Sequence, residues 1–160
     1  MSAFRIRPLA LADRDWVCKI IIESWGAEII VTHGEVFHPS DLPGFIAFTR
    51  EEPVGLLTYN IAGHECEIIT LDSWRENLGI GTALIEAARQ VAGQAGCKRL
   101  FLVTTNNNTR ALHFYQRRGF IITSVRLNAI EASRLIKPEI PLADEDGLPI
   151  RDEIELEINL

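Results

Sequence analysis

The chain reads as an α+β domain, a mixed central β-sheet with helices on both faces. Three observations predict this. Strand-like runs dominate up to Leu71 after one early helix; two amphipathic helical runs then alternate with short apolar runs; and an alternating segment, Ile150–Leu160, closes the sequence.

Each element follows from local chemistry. Phe4–Pro8 alternates and stops at proline, as a short edge strand does. Asp13 is placed to cap a helix carrying Val17, Ile20, Ile21 and Trp25 at helical spacing, with Gly26 interrupting it. Residues 27–42 are punctuated by Gly34, Pro39 and Pro43, and a second short helix is expected around Glu28–Thr32. Phe45–Thr49 and Val54–Ile61 are strands joined by the Glu51–Pro53 turn, and His64–Leu71 follows the Ala62–Gly63 turn as a third. Ile80–Ala95 then carries Ile80, Leu84, Ala87, Ala88, Val91 and Ala95 on one side, with Gly96 as its terminator. Arg99–Thr104 is an apolar strand, which makes this helix a crossover between parallel neighbours. Asn108–Arg118 is a second amphipathic helix, capped by Asn108 and ended by Gly119, and Phe120–Arg126 is a strand. A long acidic, proline-bearing insertion covers 128–149. The last run sets Ile154, Leu156, Ile158 and Leu160 against charged partners, predicting one buried face.

Composition bounds the class. The 160 residues, 47% hydrophobic and 24% charged, suit one globular domain with a real core. No run is long enough to span a bilayer, and the opening Met-Ser-Ala-Phe-Arg-Ile-Arg lacks an apolar signal segment. Cys18, Cys66 and Cys97 are scattered without C-x-x-C spacing, so they read as buried thiols of a reducing compartment and the cytoplasm is expected. Neither a disulfide frame nor a metal site is predicted. The formal charge of −6 argues against a nucleic-acid partner. Its distribution is uneven: residues 1–74 carry −6, residues 75–126 carry +6, and residues 127–160 carry −6. A basic middle between acidic flanks fits an anion held centrally and a cationic or neutral second ligand elsewhere.

The most informative stretch is Leu71-Asp-Ser-Trp-Arg-Glu-Asn-Leu-Gly-Ile-Gly-Thr82. It runs from a strand through a polar loop into a helix opened by Gly79 and Gly81. A helix start offers unpaired N–H donors and the positive end of the macrodipole, which suits a phosphate. Leu84 replaces the third glycine of a dinucleotide fingerprint, and no Gly-Lys-Ser/Thr follows as in a nucleotide P-loop. Taken alone, the two glycines are equally at home in a tight strand-to-helix turn.

A second motif, Asn108-Thr-Arg-Ala-Leu-His-Phe-Tyr115-Gln-Arg-Arg-Gly119-Phe120, changes the balance. It resembles the N-x-x-A-x-x-x-Y-x-x-x-G-F pattern of the GNAT superfamily of acyl-CoA-dependent N-acyltransferases. The Gly79–Leu84 helix start is similar to that family's R/Q-x-x-G-x-G/A signature, and the resemblance is strongest from Cys66 to Phe120. One position departs: Glu76 stands where the family has a basic or amide residue, with Arg75 one place earlier.

The resemblance implies a sheet splayed in the middle, with the pantetheine arm of coenzyme A lying between strands 66–71 and 99–104. It implies main-chain contacts near Ile69, Thr70 and Leu71, and a diphosphate on the amides of Leu78, Gly79, Ile80, Gly81 and Thr82. Either Arg75 would supply the charge that Glu76 does not, or backbone amides alone would carry the diphosphate. Arg110, Arg117 or Arg118 either reaches the remaining phosphate or forms an ordinary solvated helix face. Asn108 and Tyr115 would border the coenzyme. Tyr115 would protonate the departing thiolate, since a phenol of pKa about 10 is protonated at neutral pH. Glu67, sharing one strand face with Glu65, is the candidate base, or else a plain exposed strand carboxylate.

The resemblance puts the acceptor side at the first helices and last hairpin, where Trp25, His33, Phe37, His38, Asp41 and Tyr59 either surround a cationic amine or form core beneath loops, with 128–149 as a lid, a dimer arm or both. The implied reaction is acetyl transfer from acetyl-CoA to the primary amine of a small molecule or peptide, by direct attack in a ternary complex and without a metal. No Cys or Ser stands in a nucleophile elbow, which agrees with direct attack. A catalytically silent acyl-CoA sensor on the same fold is the alternative from another class, and acylation of a hydroxyl or a protein N-terminus is a third reading. A homodimer is an open expectation.

Overall fold

The computed structural model describes residues 3–160. Its elements are β1 (Arg5–Pro8), α1 (Arg14–Trp25), β2 (Ile30–Thr32), β3 (Glu35–Phe37), β4 (Gly44–Thr49), β5 (Glu52–Ala62), β6 (Glu65–Ser73), α2 (Ile80–Gln94), β7 (Arg99–Thr105), α3 (Thr109–Arg117), β8 (Ile121–Arg126), α4 (Ala129–Ile136) and β9 (Glu153–Asn159). Seven strands form one sheet in the order β1-β4-β5-β6-β7-β9-β8, and β2 and β3 form a separate hairpin. Within the large sheet, β6 and β7 pair in parallel and the other neighbours are antiparallel. The parallel pair is the one bridged by α2, as the crossover reading requires.

Alternation along the strands divides the core between two faces. Leu57, Ile68, Leu100, Leu102 and Leu156 pack with Ile80, Leu84 and Ala88 of α2 and with Tyr115 of α3. On the other face Leu56 packs with Val17 and Ile21 of α1, and Ile69 packs with Ile30 and Phe37 of the hairpin. Helices thus cover both sides. Each fully buried leucine on these faces contributes roughly 1.5–3 kcal/mol relative to exposure.

The helix expected around Glu28–Thr32 is not formed; the segment is the first strand of the hairpin instead. His33 and Gly34 both take positive φ, 40° and 80°. That is the two-residue turn whose twist matches paired strands. Ile30, Val31 and Thr32 are β-branched and favour the extended chain. Asp13 does precede α1, but its carboxylate does not cap it. The oxygens bind the Arg7 guanidinium at 2.7 and 2.9 Å and the Ala10 N–H at 2.7 Å.

The last strand also differs from expectation. It begins at Glu153 because Ile150 is held elsewhere: its N–H donates to the Leu142 carbonyl at 2.9 Å and its own carbonyl accepts from Arg134. Nor is it covered on one face alone. Leu156 is buried against the helices, but Glu153 is equally buried on the opposite face, paired with Arg126 at 3.3 Å. Glu155 likewise meets Arg99 at 2.9 Å and Arg126 at 3.3 Å. Periodicity marked the alternation and missed that the acidic half is paired.

Within 128–149, α4 lies over the hairpin. The buried Lys137 ammonium donates to the Ile29 carbonyl at 3.0 Å, and burial pushes its pKa down. Arg134 folds the segment onto itself by donating to the carbonyls of Ile140, Pro141 and Ile150. Among the described residues no helix is long and apolar enough to cross a membrane.

Candidate functional site

The sheet opens in its middle. Pairing between β6 and β7 runs from Glu65↔Arg99 to Ile68↔Leu102 and stops there, although β6 continues to Ser73 and β7 to Thr105. On the other side, β6 stays paired with β5 up to Gly55↔Ser73, with an irregularity at Ile69. The upper half of β6 therefore presents an unpaired edge to a notch. Trp74 N–H donates to the Val54 carbonyl at 2.9 Å, so alternation along an antiparallel ladder turns the N–H groups of Leu71 and Ser73 toward that notch.

Ile69, Thr70 and Leu71 divide accordingly. The Ile69 side chain packs beneath the hairpin, and the buried Thr70 hydroxyl pairs with that of Thr58 at 2.7 Å. Leu71 packs on the helix-side core.

The loop after β6 leads to the start of α2. Gly79 is the capping residue at φ 77°, a left-handed conformation that glycine adopts without a Cβ penalty, and no side chain caps the helix. The first intrahelical bond there runs from Ala83 N–H to the Gly79 carbonyl, 3.0 Å. The N–H groups of Ile80, Gly81 and Thr82 are thereby left without intrahelical acceptors. A Cβ on Gly79 would meet nothing within 4 Å, so space is open on that side. Gly81 is glycine for another reason: a Cβ there would lie 2.9 Å from Cζ of Phe114 on α3. Ile80 is buried beneath the turn and Leu78 is exposed.

Two cations flank this helix start, Arg75 and Arg118. Arg75 is held at 2.7 Å by Glu52, and Glu76 faces Arg110 at 3.4 Å between two highly exposed side chains. Arg118 is held against the helix start itself. Its Nε donates to the Thr82 hydroxyl at 2.8 Å, its Nη1 to the Phe114 carbonyl at 2.9 Å, and its guanidinium lies 3.5 Å over the Phe114 ring. Sequence reasoning held Arg118 among three equal candidates. The signal that separates it is its position one turn past Phe114, the residue that packs on Gly81.

Tyr115 is buried on the sheet side of α3, between the rings of Phe114 at 5.2 Å and Phe120 at 5.3 Å. No described residue hydrogen-bonds its phenol oxygen. Burial raises its pKa strongly, the negative charge of Asp72 adds to the rise, and Arg118 opposes it. The group stays protonated across the neutral range, as an acid must. Asn108 starts this helix by accepting from Ala111 N–H at 3.2 Å. His113 is exposed on the far side.

Asp72 went unnoticed in the sequence. It sits one residue past Leu71, takes the Trp25 indole N–H at 3.5 Å, and burial raises its pKa. An aspartate leaving a strand looks like any turn former, so no local signal marked it.

On the opposite face the structure brings together Glu67 and His33. Glu67 is buried, and both its oxygens lie 2.9 Å from Nε2 of His33. Burial raises the carboxyl pKa while the imidazole pulls it back. Phe37 is in this group, its ring 6.2 Å from His33. Asp41 is spent on Arg14 at 3.5 Å, and His38 precedes a short turn. Tyr59 does not belong to this side. It stacks on Phe45 at 6.1 Å within the helix-side core, because it follows Leu57 by two residues on β5 and shares that face. Among the described residues no cluster of His, Cys, Asp and Glu is arranged for a metal.

The model of the acetyltransferase (GNAT) family matches residues 11–120. Two proteins of Bacillus subtilis strain 168 are similar along most of their lengths. YdhI is 46% identical over 131 residues, 81% of this chain and 82% of its own, and YxbD is 40% identical over 152 residues, 94% of this chain and 96% of its own. A GNAT family acetyltransferase from Elizabethkingia anophelis, solved with acetyl-CoA bound, superposes with a TM-score of 0.70 at 22% identity, covering 100% of both chains.

Proposed function

Because the chain belongs to the acetyltransferase (GNAT) family, we propose that it transfers an acetyl group from acetyl-CoA to a primary amine, the amine attacking the thioester directly while both substrates are bound. The observation that carries this reading is the notch past Ile68↔Leu102, where the free edge of β6 leads to the uncapped start of α2.

The residues present fit coenzyme A. A pantetheine arm carries amides, and the N–H groups of Leu71 and Ser73 face the side where such an arm would pair as an added strand. A diphosphate suits the amides of Gly79 to Thr82, with Arg118 as the adjoining cation. The thioester supplies an activated acetyl group. The Leu71 N–H is then the donor placed to stabilise charge on the acetyl oxygen. Tyr115 gives its proton to the departing sulfur. Glu67 is the carboxylate that serves loss of the ammonium proton, directly or through an intervening group. Trp25, Phe37 and the insertion 128–149 border the acceptor side. The acidic lining there, Glu35, Glu67 and Glu153, favours a cation.

Thiol release from acetyl-CoA with a panel of primary amines tests the reading. Amine-dependent release is expected. Saturable acetyl-CoA binding without release, by a chain in which Tyr115→Phe changes nothing, would instead describe a sensor.

A further inference from the structure

The β2–β3 hairpin sets an imidazole over a buried carboxylate. His33 takes the first position of the turn at φ 40°, followed by Gly34 at φ 80°. Its backbone N–H donates to Oε2 of Glu153 at 2.9 Å, and its ring lies between Phe37 at 6.2 Å and Phe101 at 6.5 Å. The two rings thus hold the side chain while Glu153 holds its backbone. Nε2 stands 2.9 Å from each oxygen of Glu67, and the imidazole is 22% exposed where the carboxylate is 5% exposed. Whatever arrives from solvent meets His33 first. Glu67 lies one residue before the last paired rung, Ile68↔Leu102, so the pair stands at the level where the notch opens.

We propose that His33 is the group that takes the proton from the acceptor ammonium, and that Glu67 behind it is a positioning residue fixing the ring. This rests on the amine acetylation proposed above and assigns its proton path. With Nε2 turned to the carboxylate, that nitrogen carries the N–H and Nδ1 keeps its lone pair; no described residue bonds Nδ1. The proton passes from the ammonium nitrogen to Nδ1 and on to solvent. The freed nitrogen lone pair forms the C–N bond, the C–S bond breaks, and the sulfur takes the Tyr115 proton. The amine nitrogen's second proton restores Tyr115. One proton therefore ends on the thiol and one in solvent.

Charged groups face the pair from several elements. Glu35 lies on β3, and Glu153 and Glu155 lie on β9, with Arg126 of β8 and Arg99 of β7 neutralising part of the β9 charge. The balance is negative, which favours an incoming ammonium.

The test compares wild type with His33→Gln, His33→Asn and Glu67→Gln on the best amine of the panel, following kcat/KM from pH 6 to 9.5. Asparagine tolerates the positive φ of the turn, so it keeps the hairpin while removing the proton acceptor. Both His33 variants are expected to lose at least roughly tenfold at pH 7. The deficit narrows as pH nears the amine's own pKa, where the nucleophile arrives deprotonated. Acetyl-CoA affinity stays unchanged, and Glu67→Gln shows the same narrowing with a smaller loss. A deficit constant across pH, or below twofold at pH 7, overturns the assignment while leaving amine acetylation standing. A wild type that acetylates no amine removes both.

Discussion

A Cβ on Gly81 would lie 2.9 Å from Cζ of Phe114, so where the start of α2 meets the middle of α3 a methyl group would push that ring aside. The same phenylalanine carries the Arg118 guanidinium 3.5 Å above its ring. One contact thereby sets both the spacing of the helices and the place of the cation. Gly81 is glycine for this packing, whereas Gly79 is glycine for its φ of 77°.

Gly81→Ala is therefore expected to destabilise the fold by about 1–3 kcal/mol, the cost of overpacking, and to weaken acetyl-CoA binding by displacing Arg118. Adding Phe114→Leu should recover part of the stability, so the double variant is less unstable than the sum. Urea unfolding of the three variants measures this, and strict additivity would show that the two residues do not touch.

Arg118→Met should weaken acetyl-CoA by roughly tenfold, about 1.4 kcal/mol, and flatten the dependence of binding on salt. Arg75→Met should leave affinity within about twofold, since Arg75 is an exposed partner of Glu52. Titration calorimetry of both variants decides between them. Equal losses would return Arg75 to the site.

Tyr115→Phe is expected to lower turnover by roughly tenfold to a thousandfold with little change in acetyl-CoA affinity, because the lost group acts on the leaving sulfur and not on the bound coenzyme. Steady-state kinetics over a range of acetyl-CoA concentrations reads the split. Equal turnover removes Tyr115 from the mechanism.

The insertion has its own anchor. Asp152 is buried and accepts Asn128 N–H at 2.8 Å and Arg151 Nε at 2.9 Å, and these partners hold its pKa below the usual range. A depressed carboxyl contributes stability that is present above its unfolded pKa and lost as pH falls through the folded one. The melting temperature of Asp152→Asn should lie below wild type at pH 7. The gap should narrow below about pH 4 and close at more acid pH. A gap independent of pH would show that the charge of Asp152 is irrelevant.

The elements from Cys66 to Phe120 were legible because each carries a local signal. A period-two run, a glycine pair at a helix start, an asparagine cap and a terminating glycine all lie within the segment they specify. The meeting of His33 with Glu67 and Glu153 was not legible, because these residues come together only through pairing of distant segments. His33 reaches Glu67 across 34 positions of sequence and Glu153 across 120. Nothing local to Thr32-His33-Gly34 says that its turn will face a strand carboxylate. Isoleucine and valine at 30 and 31 nonetheless argued for a strand there, and the helix expected at Glu28–Thr32 passed over them. Arg75 was chosen for nearness in sequence to the glycines. Arg118, forty-three positions further on, was brought there by the packing of α3.

A crystal structure of the chain with acetyl-CoA tests the central claim most directly. The account predicts the diphosphate within hydrogen-bonding distance of the Gly79–Thr82 amides, the arm along the free edge of β6 at Leu71 and Ser73, and the thioester sulfur beside the Tyr115 hydroxyl. Coenzyme bound anywhere other than the notch beyond Ile68 and Leu102 would contradict it.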